Sequence, residues 1–230
     1  VLVDHYSLDI SWEKEVKPYV KKLIVLDDLA NRSHDCDLLI DQNLGRKFSD
    51  YDGLLSQGCK RLIGPKYALV RSEFNRMRIS SLSRKDRNEI RHILVTLGGA
   101  DNANATMDVL KALNSCDLGK DTTITVVLGK MAPWKKEVSA YLANYRWEYN
   151  LIIDASNMGE LMCQADFCIG AAGSTTWERC TLGLPSILVC VAENQKEVIK
   201  HVCDAGAALS ITLDEIINYE SINVLNEKIS

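Results

Sequence analysis

DFCIGAAGSTTWE, residues 166–178, indicates the fold, because its order of residues predicts a buried strand that passes through a tight turn directly into a helix. The apolar run Asp166–Gly170 predicts the strand, the small residues after it predict the turn, and Thr175–Leu182 predicts the helix. The first amides of a helix have no partner within it, and the helix dipole makes that end positive. The stretch therefore predicts a parallel α/β sheet and a place where a diphosphate binds without a metal.

The same alternation of short β-branched runs and longer amphipathic stretches continues on both sides, from residue 91 onward. It is typical of a parallel sheet with helices on both faces. The other predicted strands are His92–Leu97, Thr123–Leu128, Asn150–Ile153, Ser186–Val191 and Ala207–Ile211. The other predicted helices are Ala103–Leu113, Trp134–Asn144, Met158–Gln164, Gln195–Ala205 and Leu213–Ile217. We therefore expect a doubly wound Rossmann-like domain over 91–230, with its ligand beyond the carboxyl ends of the strands.

Residues 1–72 predict part of a second Rossmann-like domain. The predicted strands are Val1–Asp4, Lys22–Leu26, Asp37–Ile40 and Arg61–Ile63, and the one clear helix is Ser11–Val20. The chain begins at Val1 inside what resembles a later strand, so we expect the first part of this domain to be missing. Residues 73–90 are rich in arginine and serine and predict an exposed linker, with a basic recognition tail as the alternative.

The composition excludes several classes of protein. The 230 residues are 47% hydrophobic and 25% charged, as in a folded globular chain, and the net charge of -4 favours neither nucleic acid nor an anionic membrane as partner. The eight cysteines contain no C-x-x-C pair and lie mostly in apolar runs, which predicts reduced, buried thiols. Without an apolar run of about 20 residues or a signal peptide, we expect a cytoplasmic protein that binds a small ligand.

Four residues of the opening stretch are candidates for binding a nucleotide. Gly173 permits close approach of the backbone, the hydroxyls of Ser174 and Thr175 can contact a diphosphate, and Glu178 can accept hydrogen bonds from a ribose diol. The alternative is that Thr175 and Glu178 form a capping box, which needs no ligand.

Two other loops are predicted at the same edge of the sheet. Gly98 and Gly99 follow the first strand of this domain, and their alternative role is a tight turn capped by Asp101 or Asn102. Asn194 and Gln195 open a later helix, and their neutral amides suit sugar hydroxyls. The alternative for Asn194 is a helix cap.

The segment VDHY, residues 3–6, ends the first strand of the amino-terminal domain. Asp4 is a candidate for holding a sugar hydroxyl, and His5 and Tyr6 are candidates for proton transfer, because strand ends of this kind line clefts. A structural contact between His5 and Tyr6 is the alternative. The other histidines have no metal-ligand spacing, so no metal site is predicted.

Together these segments resemble the family of UDP-sugar hydrolases of pseudaminic acid biosynthesis, relatives of the MurG-type glycosyltransferases with their two-domain GT-B architecture. The matching pieces are VDHY (3–6), VLDDLANRSHDCDLLIDQN (25–43), YDGL (51–54), IGPKYALVRSEF (63–74), VTLGGAD (95–101), GAAGSTTWE (170–178) and ENQ (193–195).

The resemblance implies a UDP-linked diacetamido-trideoxy sugar as substrate, UDP and the free sugar as products, inverting attack of water at C1, and no metal or other cofactor. It implies UDP binding by Ser174, Thr175 and Glu178, with Gly98 and Gly99 lining the cleft. It further implies that Tyr6 lies beside the reacting sugar and that Asn194 or Gln195 faces the pyranose.

One feature of that family is missing from this sequence. The principal catalytic histidine of the family lies in a G-x-G-H-x-x-R loop, and no such segment occurs here. We therefore expect this chain to bind UDP better than it turns over substrate, with His5 as the hypothetical substitute base. A glycosyltransferase on the same scaffold and a non-catalytic nucleotide-sugar-binding module are the alternative functions.

Overall fold

The computed structural model describes residues 1–84 and 90–217, and the chain divides after Leu69 into a smaller and a larger compact unit. The smaller unit is built on a four-stranded parallel sheet in the order β1-β2-β3-β4. Its strands are β1 (Leu2–Val3), β2 (Ile24–Leu26), β3 (Leu38–Asp41) and β4 (Lys60–Ile63). Its helix α1 (Ile10–Val16) continues into a 3-10 turn (Lys17–Tyr19), and further 3-10 turns lie at Phe48–Tyr51 and Pro65–Tyr67.

The larger unit is built on a six-stranded parallel sheet in the order β10-β9-β8-β5-β6-β7. The strands are β5 (His92–Thr96), β6 (Thr123–Leu128), β7 (Glu148–Ile153), β8 (Phe167–Ala171), β9 (Ser186–Val189) and β10 (Leu209–Ile211). The helices are α2 (Ser72–Arg84), α3 (Ala105–Ser115), α4 (Lys135–Leu142), α5 (Met158–Gln164), α6 (Thr175–Leu182), α7 (Lys196–Asp204) and α8 (Leu213–Ile217). The predicted α/β fold of parallel sheets and helices is confirmed.

Both faces of the larger sheet are buried, which explains why its strands are apolar without alternation. Successive residues of a strand point to opposite faces. Ile93 accordingly lies in one core cluster, beneath α3 and α4, whereas Leu94 lies in the other, beneath α2, α5 and α6. The two cores hold the carboxyl ends of the strands, and the loops that follow them, at one edge of the sheet.

Helix α2 occupies most of the segment that the sequence predicts to be a linker. It packs against α5 and α6, with the Phe74 side chain fully buried. The Ser81 hydroxyl donates to the Leu182 carbonyl at 2.8 Å. Residues 73–84 are therefore part of the larger unit and not an exposed linker, while 85–89 lie outside the described residues. The apolar residues of α2 are too few to show a helical period, so this helix was not predicted from the sequence. Its packing against α5 and α6 fixes its position.

The strand order places a topological switch point between β5 and β8. From β5 the chain adds β6 and β7 on one side, and it then returns to add β8, β9 and β10 on the other. The loops that leave β5 and β8 therefore diverge, and they open a crevice at the carboxyl edge. No helix among residues 1–84 and 90–217 is long and apolar enough to cross a membrane.

Candidate nucleotide-binding site

The turn between β8 and α6 lies on one side of the switch point. Gly173 and Ser174 are exposed, and open space surrounds the position that a Cβ of Gly173 would take. Among the described residues, no group accepts a hydrogen bond from the amide of either residue. Ser174 is the residue before α6 and makes no side-chain cap. The amino end of α6 therefore presents free amides, with Thr175 as its first residue, to an anion at this edge.

Glu178 does not take part in the capping box that the sequence allows. Its Oε1 accepts a hydrogen bond from the Nε of Arg71 at 3.0 Å, which also raises the pKa of Arg71. Its Oε2 is buried and has no partner among the described residues, and the residue as a whole is 8% exposed. A buried carboxylate oxygen without a donor costs free energy. Glu178 can therefore accept a further hydrogen bond through Oε2.

Arg71 was not singled out from the sequence, where it falls at the end of the predicted amino-terminal domain, two residues before the predicted linker. It also pairs with Glu73 at 3.2 Å, and its guanidinium lies 5.0 Å from the centre of the Phe74 ring. The segment IGPKYALVRSEF contains it, so a signal was present in the order of these residues. Its partner Glu178 lies 107 residues further along the chain, and no local pattern reveals such a pair.

The loop after β5 lies on the other side of the switch point. Gly98 has a φ of +96°, which favours glycine, and both Gly98 and Gly99 are exposed with open space where a Cβ would be. The alternative interpretation of this loop is also realised in part, because Asp101 caps α3. Its Oδ1 accepts from the Ala105 amide at 2.9 Å, and its Oδ2 accepts from the Thr106 amide at 3.0 Å.

Gly129, at the end of β6, supports this glycine loop. A Cβ on Gly129 would lie 2.0 Å from the carbonyl oxygen of Gly99, and therefore inside its van der Waals surface. Backbone cannot move away as cheaply as a flexible side chain can. We expect Gly129→Ala to displace the Gly98–Gly99 loop and to cost at least about 1 kcal/mol of stability. Urea unfolding measures that loss. A matched control is Gly119→Ala, where the nearest atom is an ordinary 3.6 Å away, and equal stabilities of the two variants would contradict the close approach.

Asn194 and Gln195 lie in a 3-10 turn (Glu193–Gln195) between β9 and α7. Gln195 immediately precedes α7 but makes no side-chain cap there, and its Oε1 accepts from the amide of Val191 at 3.1 Å. Asn194 is exposed. The alternative role of Asn194 as a helix cap is not found at the position that precedes α7, which Gln195 occupies. Both amides follow β9, which neighbours β8, so they lie at the same edge of the sheet as the turn before α6.

Asp4, His5 and Tyr6 lie in the smaller unit, directly after β1, and all three are exposed. The Tyr6 hydroxyl donates to Oδ2 of Asp28 at 2.9 Å, and the His5 Nδ1 accepts from the Ser7 amide at 3.1 Å. Asp28, which follows β2, was not singled out from the sequence although it lies in the quoted segment VLDDLANRSHDCDLLIDQN. Burial raises the pKa of Asp28, and its Oδ1 is buried without a partner among the described residues.

The smaller unit also contains a buried ionic cluster formed by His34, Glu13 and Asp27. His34 Nδ1 lies 2.6 Å from Glu13 Oε1, and its Nε2 lies 3.7 Å from Asp27 Oδ1. Burial lowers the pKa of His34, but the hydrogen bonds to Asp27 and Glu13 outweigh it and raise the pKa to about 9. Burial likewise raises the pKa of Asp27, but hydrogen bonds from His34, the Ala30 amide and Tyr51 lower it to about 2. At neutral pH the cluster therefore contains an imidazolium between two carboxylates.

The described residues contain no group of three or more His, Cys, Asp or Glu side chains that could hold a metal ion. The candidate residues are divided between the units. Gly98, Gly99, Gly173, Ser174, Thr175, Glu178, Asn194 and Gln195 belong to the larger unit, and Asp4, His5 and Tyr6 belong to the smaller one.

The chain is similar in sequence and fold to several known proteins. Residues 92–227 match the family model described as Glycosyltransferase family 28 C-terminal domain. The uncharacterized protein MJ1062 of Methanocaldococcus jannaschii is 31% identical over 205 residues, which are 86% of this chain and 41% of that protein. The UDP-2,4-diacetamido-2,4,6-trideoxy-beta-L-altropyranose hydrolase of Campylobacter jejuni is 26% identical over 206 residues, which are 90% of this chain and 71% of that protein. The crystal structure of MurG from Acinetobacter baumannii shares the fold, with a TM-score of 0.64 and 16% identity over 95% of this chain and 65% of that one.

Proposed function

The chain belongs to the family of the Glycosyltransferase family 28 C-terminal domain, in the nucleotide-sugar GT-B superfamily, and on that premise we propose that its larger unit binds the UDP part of a UDP-sugar. The diphosphate is bound at the turn before α6, and the ribose is bound by Glu178. Gly98 and Gly99 line the opposite side of the crevice, and Asn194 and Gln195 contact the sugar.

This proposal rests mainly on the hydrogen bonding of the two Glu178 carboxylate oxygens. Arg71 binds one of its oxygens, and the other is buried without a donor. Glu178 lies four positions after Ser174, which is one helical turn, so the two residues lie on the same face of α6. A nucleoside diphosphate matches this arrangement, because it carries an anion for the amides and a diol for the carboxylate.

The reaction that we propose is hydrolysis of a UDP-linked diacetamido-trideoxy sugar. The oxygen of water forms a bond to C1, the bond from C1 to the β-phosphate oxygen breaks, and its electron pair leaves with UDP. A proton of the water passes to a base. Charge grows on the leaving phosphate, and the amides at Gly173 and Ser174, with the α6 dipole, are placed to stabilise it. The similarity to the Campylobacter UDP-sugar hydrolase supports hydrolysis.

The residues after β1 are proposed to serve the reacting sugar. Asp4 can bind a sugar hydroxyl, and the Tyr6 hydroxyl, held by Asp28, can donate or accept a proton. His5 would act through its Nε2, since its Nδ1 is engaged by the Ser7 amide. A group that transfers a proton must come within hydrogen-bond reach of the reacting atom.

Glycosyl transfer is the second candidate, and the family model specifically favours it. In that case an acceptor hydroxyl replaces water in the same displacement. The test is to incubate the protein with the UDP-sugar and no acceptor. We expect equal amounts of UDP and free sugar. Release of UDP only when an acceptor is added would contradict hydrolysis, and tight UDP binding without any turnover would favour a binding module.

A further inference from the structure

Arg179 carries a charge in the interior of the larger unit. It lies in α6, its residue is 1% exposed, and it forms no ion pair with a carboxylate of the described chain. Its Nη2 donates to the carbonyl of Ala171 at 2.7 Å and to the hydroxyl of Thr176 at 3.1 Å, while its Nε has no partner there. Buried charges are normally paired, because an isolated one loses its hydration without compensation.

The position of the guanidinium is set by Gly170 of β8. A Cβ on Gly170 would lie 2.0 Å from the Arg179 Nη1 and 3.0 Å from the carbonyl oxygen of Thr96. Thr96 is the last residue of β5, and it lies opposite Gly170 in the register of the two strands. The absent side chain of Gly170 therefore makes room for the guanidinium where β5 and β8 end, which is the switch point.

The charge of Arg179 also lies close to the turn that the proposed diphosphate would contact. Ala171 ends β8 just before that turn, Thr176 lies in the first turn of α6 just after it, and Arg179 donates hydrogen bonds to both. The positive end of the α6 dipole lies in the same place. The Glu178 carboxylate in the first turn of α6 is paired with Arg71, and Arg179 has no carboxylate partner among the described residues. An anionic ligand at the turn would compensate both Arg179 and the helix dipole.

We propose that Arg179 is a positioning residue for the diphosphate of the bound nucleotide. It fixes the turn through the Ala171 carbonyl and the Thr176 hydroxyl, and its charge raises the affinity for an anion above the turn. Because its residue is 1% exposed, it acts from beneath without touching the ligand. This inference rests on the proposed binding of UDP, and it adds a residue whose effect is confined to the phosphates.

The test compares UDP, uridine and inorganic pyrophosphate by titration calorimetry. We expect Arg179→Gln to weaken UDP and pyrophosphate roughly tenfold, as the loss of one nearby charge would, and to leave uridine within about twofold. Arg179→Lys, which retains the charge, should bind UDP better than Arg179→Gln does. Arg146→Gln is the control, since it removes an exposed charge that packs on Trp147 and should change none of the affinities.

A buried residue can be needed for folding, so a milder variant accompanies these. Thr176→Val removes the hydroxyl that holds the guanidinium and keeps the shape of the side chain. It should weaken UDP about threefold and leave uridine unchanged. Unchanged UDP affinity in folded Arg179→Gln, or in Thr176→Val if Arg179→Gln does not fold, would overturn the inference, as would equal losses for UDP and uridine. A wild-type chain that binds neither UDP nor uridine would instead refute the proposed function itself.

Discussion

Glu178→Ala is expected to weaken the binding of UDP about tenfold to a hundredfold, which corresponds to the loss of one or two hydrogen bonds to a charged group. The same factor is expected for uridine, because the carboxylate contacts the ribose and not the phosphates. The Arg71 side chain is half exposed, so losing its partner should cost little stability. Titration calorimetry with both ligands measures the two factors.

The control for this variant is Glu148→Ala. Glu148 is an exposed residue that begins β7, at the amino edge of the sheet and away from the crevice. It should bind both ligands as the wild type does. If Glu178→Ala retained full affinity for uridine and UDP, the carboxylate would have only a structural role, and the ribose contact would have to be abandoned.

His34→Gln is expected to destabilise the smaller unit by about 3–5 kcal/mol near pH 6, because it leaves the buried Glu13 carboxylate without its cation and Asp27 with Arg32 alone, at 3.3 Å. In the wild type the pKa of His34 is raised to about 9 from its ordinary 6.5. Its contribution to stability is therefore complete below about pH 6.5 and is lost as the pH rises through 9. The pKa of Asp27 is lowered to about 2 from 3.8, so its contribution is complete above about pH 3.8 and is lost as the pH falls towards 2.

Urea unfolding of the smaller unit between pH 3 and 10, followed by its amide signals, measures this profile. The wild type should be most stable between about pH 4 and 6.5, and the difference from His34→Gln should shrink above pH 9. His201→Gln is the matched control, because His201 is half-buried on α7 in the larger unit and should leave the profile unchanged. A smaller unit whose stability did not change between pH 6 and 10 would show that His34 is not charged in the folded state.

The strands and helices of the larger unit could be predicted from the sequence because burial on both faces leaves a strong local signal. Thr175–Leu182 and Met158–Gln164 were predicted with the bounds that the structure has. Helix α7 is shorter than predicted at its start, where Glu193–Gln195 forms a 3-10 turn. The end of a helix depends on a few hydrogen bonds, and local periodicity does not report these.

The parts that escaped prediction depend on contacts between distant residues. Arg71 meets Glu178 only after α2 has packed on α6, and Asp28 meets Tyr6 only when β1 and β2 lie side by side. Arg179 looks like an ordinary charged residue in the last turn of a helix until the space left by Gly170 is known. The candidate residues of the larger unit were predicted because glycine turns after apolar strands are a local pattern.

Binding of the diphosphate at the turn before α6 can be tested by titrating the isotope-labelled chain with UDP and recording the shifts of its backbone amide signals. We expect saturable changes at Gly173 and Ser174, at Gly98 and Gly99 across the crevice, and in the residues around Glu178. Uridine should reproduce the changes around Glu178 and leave those of Gly173 and Ser174 small. Saturable binding of UDP without any change at Gly173 or Ser174 would contradict the claim that this turn binds the diphosphate.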